Sequence, residues 1–258
     1  MSHRPRKRFG QNFLEDSSVI EHIVAAIDPR PGQNLIEIGP GKGALTLPVL
    51  ARCQAMTAIE LDRDLVTLLR NKTAATGRLE LLSQDVLKTD FAAFGAGQRI
   101  IGNLPYNIST PVLFHLLSYR PLLRDMHFML QNEVVERMAS HPGSKTYGRL
   151  SVMLQTYCSV SKLLDVPPAA FDPPPKVDSA VVRLEPKPAT DIPAHDPQRL
   201  SAVVTLAFAQ RRKTLRNNLR GVIGEKQIES LDIDAGTRAE NLRIDQFVAL
   251  SALLPEKP

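Results

Sequence analysis

The stretch "NLIEIGPGKGALT" (Asn34–Thr46) decides the fold, because it joins an apolar run to a helical pattern through three closely spaced glycines. The apolar run is short and ends at Gly39, as expected of a buried strand. Glycines at a strand-to-helix turn let the backbone approach a ligand closely, and the following helix offers free N–H groups. A tight turn without a ligand would need the same glycines. The stretch therefore predicts the first strand, loop and helix of an open α/β sheet.

Strand-like and helical patterns alternate after this stretch. Four further apolar runs are "AMTAIEL" (55–61), "RLELLSQD" (78–85), "RIIGNL" (99–104) and "MHFMLQ" (126–131). Helical patterns separate them, for example "RDLVTLLRNK" (63–72). Strands that alternate with helices indicate a parallel, doubly wound sheet.

The C-terminal part of the chain has a different pattern. Two strand-like runs, 159–166 and 179–185, flank a proline-rich loop and predict an antiparallel pair at one edge of the sheet. The proline-rich, polar segment 186–198 resembles a linker, and only helical patterns follow it. We therefore predict an α/β domain over residues 1–187 and a small all-helical domain over residues 188–258.

Composition excludes several classes of protein. The chain has 258 residues, of which 43% are hydrophobic and 23% charged, so it can build a full globular core. Its apolar runs are too short to span a membrane, and its N-terminus lacks the apolar segment of a secretory signal. Cys53 and Cys158 are far apart, which argues against a disulfide framework or a metal site and fits the reducing cytoplasm. Nothing indicates more than a monomer.

The charge distribution points to a polyanionic partner. The formal net charge is +5 and the sequence pI is about 9.3. Two clusters hold much of the excess: Arg4, Arg6, Lys7 and Arg8, and then Arg211, Arg212, Lys213, Arg216 and Arg220. Either cluster alone would be read as a solvated basic face. Two clusters in one basic chain favour nucleic acid, because phosphate neutralisation releases counterions.

Acidic residues end the second and third predicted strands. Glu60 follows the glycine loop by about twenty residues, where a carboxylate can accept hydrogen bonds from ribose hydroxyls. Asp85 ends the next strand, where it can accept from an adenine amino group. The ends of parallel strands meet at one crevice, so these carboxylates are expected near the glycine loop. On these residues alone, NAD and S-adenosylmethionine both stay open as ligands.

The stretch "GNLPYN" (102–107) ends the fourth predicted strand with an amide, a bend and an aromatic ring. Pro105 cannot donate a ladder hydrogen bond, so the strand must stop there. The side-chain oxygen of Asn103 and the carbonyl of Leu104 can accept both hydrogens of an aromatic amine. The ring of Tyr106 can stack on a planar base. These acceptors would draw the amine toward tetrahedral geometry and aim its lone pair at an electrophilic methyl. The alternative interpretation of this stretch is a strand-to-helix turn with a helix cap and no ligand.

The Asn-Leu-Pro-Tyr segment resembles the signature of N6-adenine methyltransferases. Four further motifs resemble the ribosomal RNA adenine dimethyltransferase family: "GQNFLED" (10–16), "YGRLSV" (147–152), "FDPPPKVDS" (171–179) and "AFAQRRKTLRNNL" (207–219). Together they cover nearly the whole chain, and several are highly specific. The resemblance implies a Rossmann-like class I methyltransferase sheet with a helical C-terminal domain, S-adenosylmethionine as cofactor, and adenine N6 in RNA as the target.

The resemblance also implies roles for individual residues. The cofactor residues would be Gln11, Asn12, Leu14, Gly39, Gly41, Glu60, Leu61, Asp85, Val86 and Asn103. The residues at the target adenine would be Asn103, Leu104, Pro105 and Tyr106, with Phe171 on the other face of the base. A proline-rich loop is expected to leave Phe171 with few core contacts. Arg211, Arg212, Lys213 and Arg216 would hold RNA phosphates. Lys42 departs from the family, which more often has an apolar residue there, and would add charge near the cofactor carboxylate.

Within the family, the long helical C-terminal part and the Pro-Lys-Val-Asp-Ser form resemble the bacterial small-subunit branch. That resemblance implies dimethylation of N6 of two adjacent adenosines in the 3'-terminal hairpin of 16S ribosomal RNA, within the immature small ribosomal subunit. Two alternatives stay open. One is dimethylation of large-subunit RNA, as in antibiotic resistance, and the other is an assembly factor in which catalysis is secondary. The position of the methylated nucleoside tests the first alternative, and the effect of Asn103→Ala on binding and on transfer tests the second.

Overall fold

Strands and helices alternate through the residues that the structure describes, 12–254, as the sequence pattern predicts. In this computed structural model the strands are β1 (Phe13–Leu14), β2 (Asn34–Ile38), β3 (Ala55–Glu60), β4 (Arg78–Ser83), β5 (Gln98–Asn103), β6 (Leu123–Gln131), β7 (Cys158–Val166), β8 (Phe171–Asp172) and β9 (Ser179–Pro186). The helices are α1 (Ser17–Ile27), α2 (Thr46–Cys53), α3 (Arg63–Thr73), α4 (Ser109–Ser118), α5 (Asn132–Ala139), α6 (Arg149–Tyr157), α7 (Pro197–Ala207), α8 (Leu215–Asn218), α9 (Glu225–Glu229) and α10 (Ile244–Ala252).

The main sheet has seven strands in the order β4-β3-β2-β5-β6-β9-β7. Strands β2 to β6 are parallel to their neighbours, and β9 pairs antiparallel with β6, with β7 beyond it at the edge. The predicted parallel sheet with two late strands at one edge is confirmed. The strand order reverses between β2 and β5, and ligands of open α/β sheets bind at such a switch point.

Close approach of β2 and β5 explains one glycine of this sheet. A Cβ atom on Gly102 would lie 2.4 Å from the carbonyl oxygen of Ile38. Real Cβ atoms do not approach backbone atoms so closely, so any larger residue would push the two strands apart. Gly102 therefore keeps the strands together at the point where the order reverses.

A second, two-stranded sheet joins the N-terminal segment to the proline-rich loop. Strand β1 pairs antiparallel with β8, so that Leu14 lies opposite Phe171. Both side chains are buried in the main core cluster. The backbone N–H of Glu15 donates to the Ala170 carbonyl at 2.9 Å and continues this attachment. Part of the predicted loop is thus a strand, because its aromatic residue has a place in the core.

Polar caps determine where several helices begin. The Asp16 carboxylate accepts a hydrogen bond from the Val19 N–H at 3.1 Å and starts α1. The Asp196 carboxylate does the same for the first turn of α7, whose first residue is Pro197. Both helices then present buried aliphatic residues to the core of their own unit.

The described chain divides into two compact units. The first contains the described residues up to Val135 together with Val160–Pro186, and the second contains Glu136–Ser159 together with the residues from Lys187 onward. In the second unit, the rings of Tyr147, Phe208 and Phe247 follow one another at centroid distances of 6.3 and 5.6 Å.

The units differ from the predicted boundary at residues 187 and 188 in one respect. The segment Glu136–Ser159, which includes α6, groups with the C-terminal helices and not with the sheet. Helix α6 packs against α7 and α10, and the Gln155 amide donates to the carbonyls of Met138 and Ser140. The division into domains of residues 1–187 and 188–258 stays a prediction. None of the helices between residues 12 and 254 has the length and apolar character needed to cross a membrane.

Candidate active site

A cavity of about 260 Å³ lies in the first unit, at the carboxyl ends of β2, β3 and β5. Most predicted site residues of that unit line it. They are Asn12, Leu14, Gly39, Gly41, Glu60, Leu61, Asp85, Val86, Asn103, Leu104, Pro105 and Tyr106. Gln11 lies outside the described residues. The predicted cofactor and adenine residues therefore converge on one space, as strand ends at a switch point should.

The glycine loop approaches the N-terminal strand very closely. Gly41 has a φ of +57°, and a Cβ atom there would lie 3.3 Å from the Phe13 ring. Residues other than glycine adopt this conformation reluctantly, so both backbone and space favour glycine. Strand β1 and the glycine loop thus form two adjoining walls of the cavity.

Glu60 ends β3 with its carboxylate inside this loop. One oxygen accepts from the Gly41 N–H at 3.2 Å and the other from the Asp62 N–H at 2.8 Å. The residue is only 8% exposed, and burial raises the pKa of its carboxyl, opposed by these two hydrogen bonds. Glu60 therefore stabilises the loop and still faces the cavity. The adjacent Leu61 is 53% exposed and lines the cavity, so its apolar side chain is available for contact with a ligand.

Asp85 and Val86 lie at the end of β4, on the same cavity. The Asp85 carboxylate accepts from the Leu87 N–H at 3.0 Å and so caps a short helical turn. Val86 is buried and presents an apolar side chain beside it. A carboxylate next to an apolar surface matches the predicted contact with a purine ring and its amino group.

The Asn-Leu-Pro-Tyr segment leaves β5 directly at the cavity. The Asn103 side-chain N–H donates to the Asn12 carbonyl at 3.2 Å, and the Leu104 N–H donates to the Met129 carbonyl at 3.2 Å. Within the described chain, no hydrogen bond ends on Asn103 Oδ1 or on the Leu104 carbonyl. The Asn103 side-chain N–H and the Leu104 N–H are thus held by protein carbonyls. Asn103 Oδ1 and the Leu104 carbonyl stay available to accept hydrogen bonds from an amine.

Tyr106 is held by a residue of another predicted motif. Its hydroxyl lies 2.9 Å from the Ser179 hydroxyl, the last residue of the "FDPPPKVDS" stretch. The Ser109 hydroxyl donates to the Tyr106 carbonyl at 3.1 Å. Burial raises the pKa of the Tyr106 phenol, opposed by the Ser179 bond. The ring is therefore neutral and anchored at its polar end.

Phe171 is the predicted residue of this unit that does not line the cavity. Its side chain is 5% exposed and belongs to the core cluster with Leu14 and Val181. The expectation that a phenylalanine in the proline-rich loop has few core contacts is wrong, because β8 pairs with β1 and carries the ring inward. Its stacking on the target base stays a prediction, which requires the ring to turn out of this cluster.

Several further residues line the cavity without having been predicted as site residues, among them Phe13 and Glu37. Glu37 is 2% exposed, and one of its oxygens, Oε2, has no hydrogen-bond partner within the described residues. Burial raises the pKa of Glu37 to about 7, opposed by the Thr46 hydroxyl and reinforced by Glu60. Glu37 could have been found from the sequence, because a single acidic residue inside the apolar strand "NLIEI" needs a hydrogen-bonding or charged partner when it is buried.

The predicted RNA-binding residues lie on the second unit and differ in their surroundings. Arg211 forms an ion pair with Glu240 at 3.0 Å, and Arg216 forms one with Glu225 at 2.8 Å. Arg212 and Lys213 are exposed, and neither side chain has a partner in residues 12–254. They line a shallow depression together with Gln210 and Arg211. The N-terminal basic cluster lies outside the described residues.

A doubly wound sheet whose glycine loop, strand-end carboxylates and Asn-Leu-Pro-Tyr segment border one cavity defines a Rossmann-like methyltransferase. The chain matches the family model described as "Ribosomal RNA adenine dimethylase" over residues 2–256, and it belongs to that family. It is therefore an S-adenosylmethionine-dependent methyltransferase, and the predicted cofactor and class of enzyme are confirmed.

Curated relatives match the chain along nearly its whole length. A protein of Thiobacillus denitrificans is 54% identical over 252 residues, covering 98% of each chain. A protein of Legionella pneumophila is 51% identical over 254 residues, covering 98% of this chain and 99% of its own. Both bear the name "Ribosomal RNA small subunit methyltransferase A".

Solved structures of two enzymes share the fold. A dimethyladenosine transferase from Plasmodium falciparum is 27% identical with a TM-score of 0.81, covering 92% of this chain and 95% of its own. The 23S rRNA methyltransferase ErmE is 26% identical with a TM-score of 0.75, covering 94% of this chain and 99% of its own. The predicted fold class is confirmed.

Proposed function

We propose that this enzyme dimethylates N6 of two adjacent adenosines in the 3'-terminal hairpin of 16S ribosomal RNA, within the immature small ribosomal subunit. It acts as a monomer in the cytoplasm. The observation that carries the proposal is the pair of available acceptors, Asn103 Oδ1 and the Leu104 carbonyl, beside a cavity suited to S-adenosylmethionine.

The cavity residues fit this cofactor. Bound S-adenosylmethionine supplies an electrophilic methyl group on a sulfonium. Gly39 and Gly41 have no side chains, so the backbone at these two positions can approach the methionine part closely. Glu60 is placed to accept from ribose hydroxyls and Asp85 from the adenine amino group. The unpartnered oxygen of Glu37 suits a positively charged group of the ligand.

Asn103 and Leu104 hold the target amine. An exocyclic amine is a poor nucleophile because its lone pair is delocalised into the ring. Acceptors on its two hydrogens favour tetrahedral geometry and direct the lone pair out of the ring plane. Positioning of this kind can contribute roughly 7–11 kcal/mol to a reaction between two bound groups. No described side chain at Asn103 or Tyr106 has the character of a dedicated base, so solvent takes the proton.

The target base must leave its stack to reach this segment. Extrusion costs least where the RNA is unpaired or near a helix end, as in a terminal hairpin. Tyr106, anchored through its hydroxyl, offers a ring on which the extruded base can stack. The same site must accept the monomethylated base for a second transfer.

The small-subunit substrate is supported by the comparisons. The relatives at 51–54% identity are named for the small ribosomal subunit, whereas the large-subunit enzyme ErmE is 26% identical. The substrate is therefore assigned to the small subunit, and the large-subunit reaction is the second candidate. The exposed cations Arg212 and Lys213 support binding to the RNA backbone.

The test uses small subunits that lack the modification, the purified protein and labelled S-adenosylmethionine. The RNA is digested, and the modified nucleosides and their positions are identified by mass spectrometry. We expect N6,N6-dimethyladenosine at two adjacent positions of the terminal 16S hairpin. Dimethylation of large-subunit RNA instead would assign the second candidate. Tight particle binding with no transfer to either RNA would favour an assembly factor.

A further inference from the structure

Lys42 makes contacts that the role of the glycine loop does not require. Its ammonium group lies 3.2 Å from Glu15 Oε1, just after strand β1, and 4.4 Å from the centroid of the Phe13 ring. The side chain thus runs from the glycine loop to strand β1, which forms the adjoining wall of the cavity. We call Phe13, Glu15 and Lys42 the clamp.

The clamp lies beside the cofactor cavity. Phe13 and Lys42 both line the cavity, and the Phe13 ring lies against Gly41. Exposure of the Lys42 and Glu15 side chains is 29% and 54%, so the ion pair lies at the surface, where solvent and salt reach it. The backbone of the loop is fixed from the other side, because the Lys72 ammonium donates to the Lys42 carbonyl at 2.9 Å.

On its cavity side, strand β1 is attached through contacts of Asn12 and Phe13. It is two residues long and pairs only with the equally short β8 in the described part of the chain. Leu14 packs in the core cluster. The Asn12 carbonyl accepts the hydrogen bond from Asn103, and the Phe13 ring contacts the Lys42 ammonium group. The cation on Lys42 therefore forms one of the attachments between β1 and the loop.

We propose that Lys42 is a positioning residue that holds strand β1 against the glycine loop and thereby slows the release of S-adenosylmethionine. It acts through Glu15 and Phe13. The ligand cannot leave past β1 while the clamp is closed, and opening requires the ion pair and the cation–π contact to separate. The proposal rests on the assignment of this cavity to the cofactor.

The test measures ligand release from the full-length protein. Tritiated S-adenosylmethionine is bound and then chased with excess S-adenosylhomocysteine, at low and at high ionic strength. The variants are Lys42→Met, which keeps the length of the side chain, Glu15→Gln, which removes only the ion pair, and the double variant. Lys226→Met, an exposed lysine of the second unit, is the matched control.

We expect Lys42→Met to release the label about three- to tenfold faster than the wild type, as loss of one exposed ion pair and one cation–π contact implies. Glu15→Gln should be faster by a smaller factor, and the double variant no faster than Lys42→Met. High salt should accelerate release from the wild type and not from the variants. Lys226→Met should match the wild type.

A second measurement reports on the strand itself. Hydrogen exchange of the peptide that contains Glu15 and Asp16 should be faster in ligand-free Lys42→Met, because both N–H groups bond to the Ala170 carbonyl. Thermal unfolding confirms that each variant is folded.

Three outcomes would overturn the proposal. Unchanged release and exchange in Lys42→Met would remove the clamp. Slower release in Glu15→Gln would mean that Glu15 competes for a lysine that contacts the ligand directly. Failure of the wild type to retain the label would overturn the cofactor assignment and the clamp together, whereas normal retention with equal rates would overturn the clamp alone.

Discussion

At the scale of single residues, the site depends on polar atoms that the fold leaves available. Asn103 donates to Asn12 and keeps its oxygen free, and Glu37 keeps one oxygen without a partner in the described chain. The Glu37 oxygen is buried, and buried polar atoms without partners are costly, so its persistence beside a cavity indicates a ligand. Both residues therefore invite tests that separate binding from chemistry.

Asn103→Ala should abolish methyl transfer while particle binding persists. Removal of one preorganised hydrogen-bonding group at a reacting centre typically lowers kcat by about 10²- to 10³-fold. The measurement compares single-turnover transfer with binding to unmodified small subunits. Loss of binding by a folded variant would contradict the division of labour between the sheet unit and the basic cluster.

Glu37→Gln should alter the pH dependence of stability. The pKa of Glu37 in the folded protein is raised from 4.5 to about 7, mainly by burial. Well below pH 4.5 the carboxyl is protonated in both the folded and the unfolded protein. As the pH rises through about 7 the folded protein must also ionise this buried group, so the stability that the protonated carboxyl contributes is lost.

Urea unfolding of the ligand-free protein at several pH values measures this effect. The wild type should lose about 2–3 kcal/mol relative to Glu37→Gln between the acidic limit and the region above pH 7. Parallel profiles for the two proteins would show that the buried carboxyl is already stabilised in its charged form.

At the scale of elements, short segments join distant parts of the chain. The two-residue strand β1 pairs with β8 and also faces the glycine loop. Through these contacts the motif "GQNFLED" reaches both the glycine loop and the proline-rich stretch. The Phe13 ring of β1 can lie this close to the glycine loop only because Gly41 lacks a side chain.

Gly41→Ala should weaken cofactor binding as well as the fold. Gly97→Ala is the matched control, since both residues have positive φ, +57° and +73°, but a Cβ at Gly97 would contact nothing within 4 Å. Each variant should lose about 1–2 kcal/mol of unfolding free energy through its backbone conformation. Only Gly41→Ala should lose cofactor affinity, about tenfold or ~1.4 kcal/mol by calorimetry. Equal affinities would remove Gly41 from the binding wall.

The basic segment of the second unit should contribute unequally to RNA binding. Arg212 and Lys213 have no partners in residues 12–254, whereas Arg211 and Arg216 are paired with glutamates. Arg212→Ala with Lys213→Ala should lower the salt slope of binding by about 1.5–2, as expected for two phosphate contacts. Arg211→Ala with Arg216→Ala is the matched control and should have the smaller effect. The reverse order would indicate that RNA displaces the glutamates.

At the scale of the whole molecule, each unit has its own core and its own task. The sheet unit contains the cavity, and the second unit carries the exposed cations.

The end of the sheet opposite the cavity contains a buried ion pair. Arg99, 5% exposed, binds Asp125 through two nitrogens and also donates to the Ile27 carbonyl at 2.6 Å. It joins α1 to two central strands.

Asp125→Asn should destabilise the sheet unit strongly. The guanidinium of Arg99 would remain buried without its counter-charge, and loss of one partner of such a pair typically costs about 3–5 kcal/mol. Asp28→Asn is the control, because its pair with Arg30 is exposed to solvent and should contribute little to stability. Urea unfolding measures both. A small effect of Asp125→Asn would show that water or backbone carbonyls satisfy Arg99.

The sequence by itself determined the alternation of strands and helices, the glycine loop, and the convergence of Glu60, Asp85 and Asn103 on one cavity. These features follow from local periodicity and from the rule that parallel strands end at a common crevice. The family signature was equally local, because its motifs are short and contiguous.

Only the tertiary structure decided that Phe171 is a core residue, that residues 136–159 group with the C-terminal helices, and that Lys42 reaches Glu15 beside the cavity. It also decided which of the four predicted basic residues are already paired. These properties depend on contacts between segments far apart in the chain. Burial and charge pairing are set by packing, and local sequence patterns carry little information about which distant partner a side chain will meet.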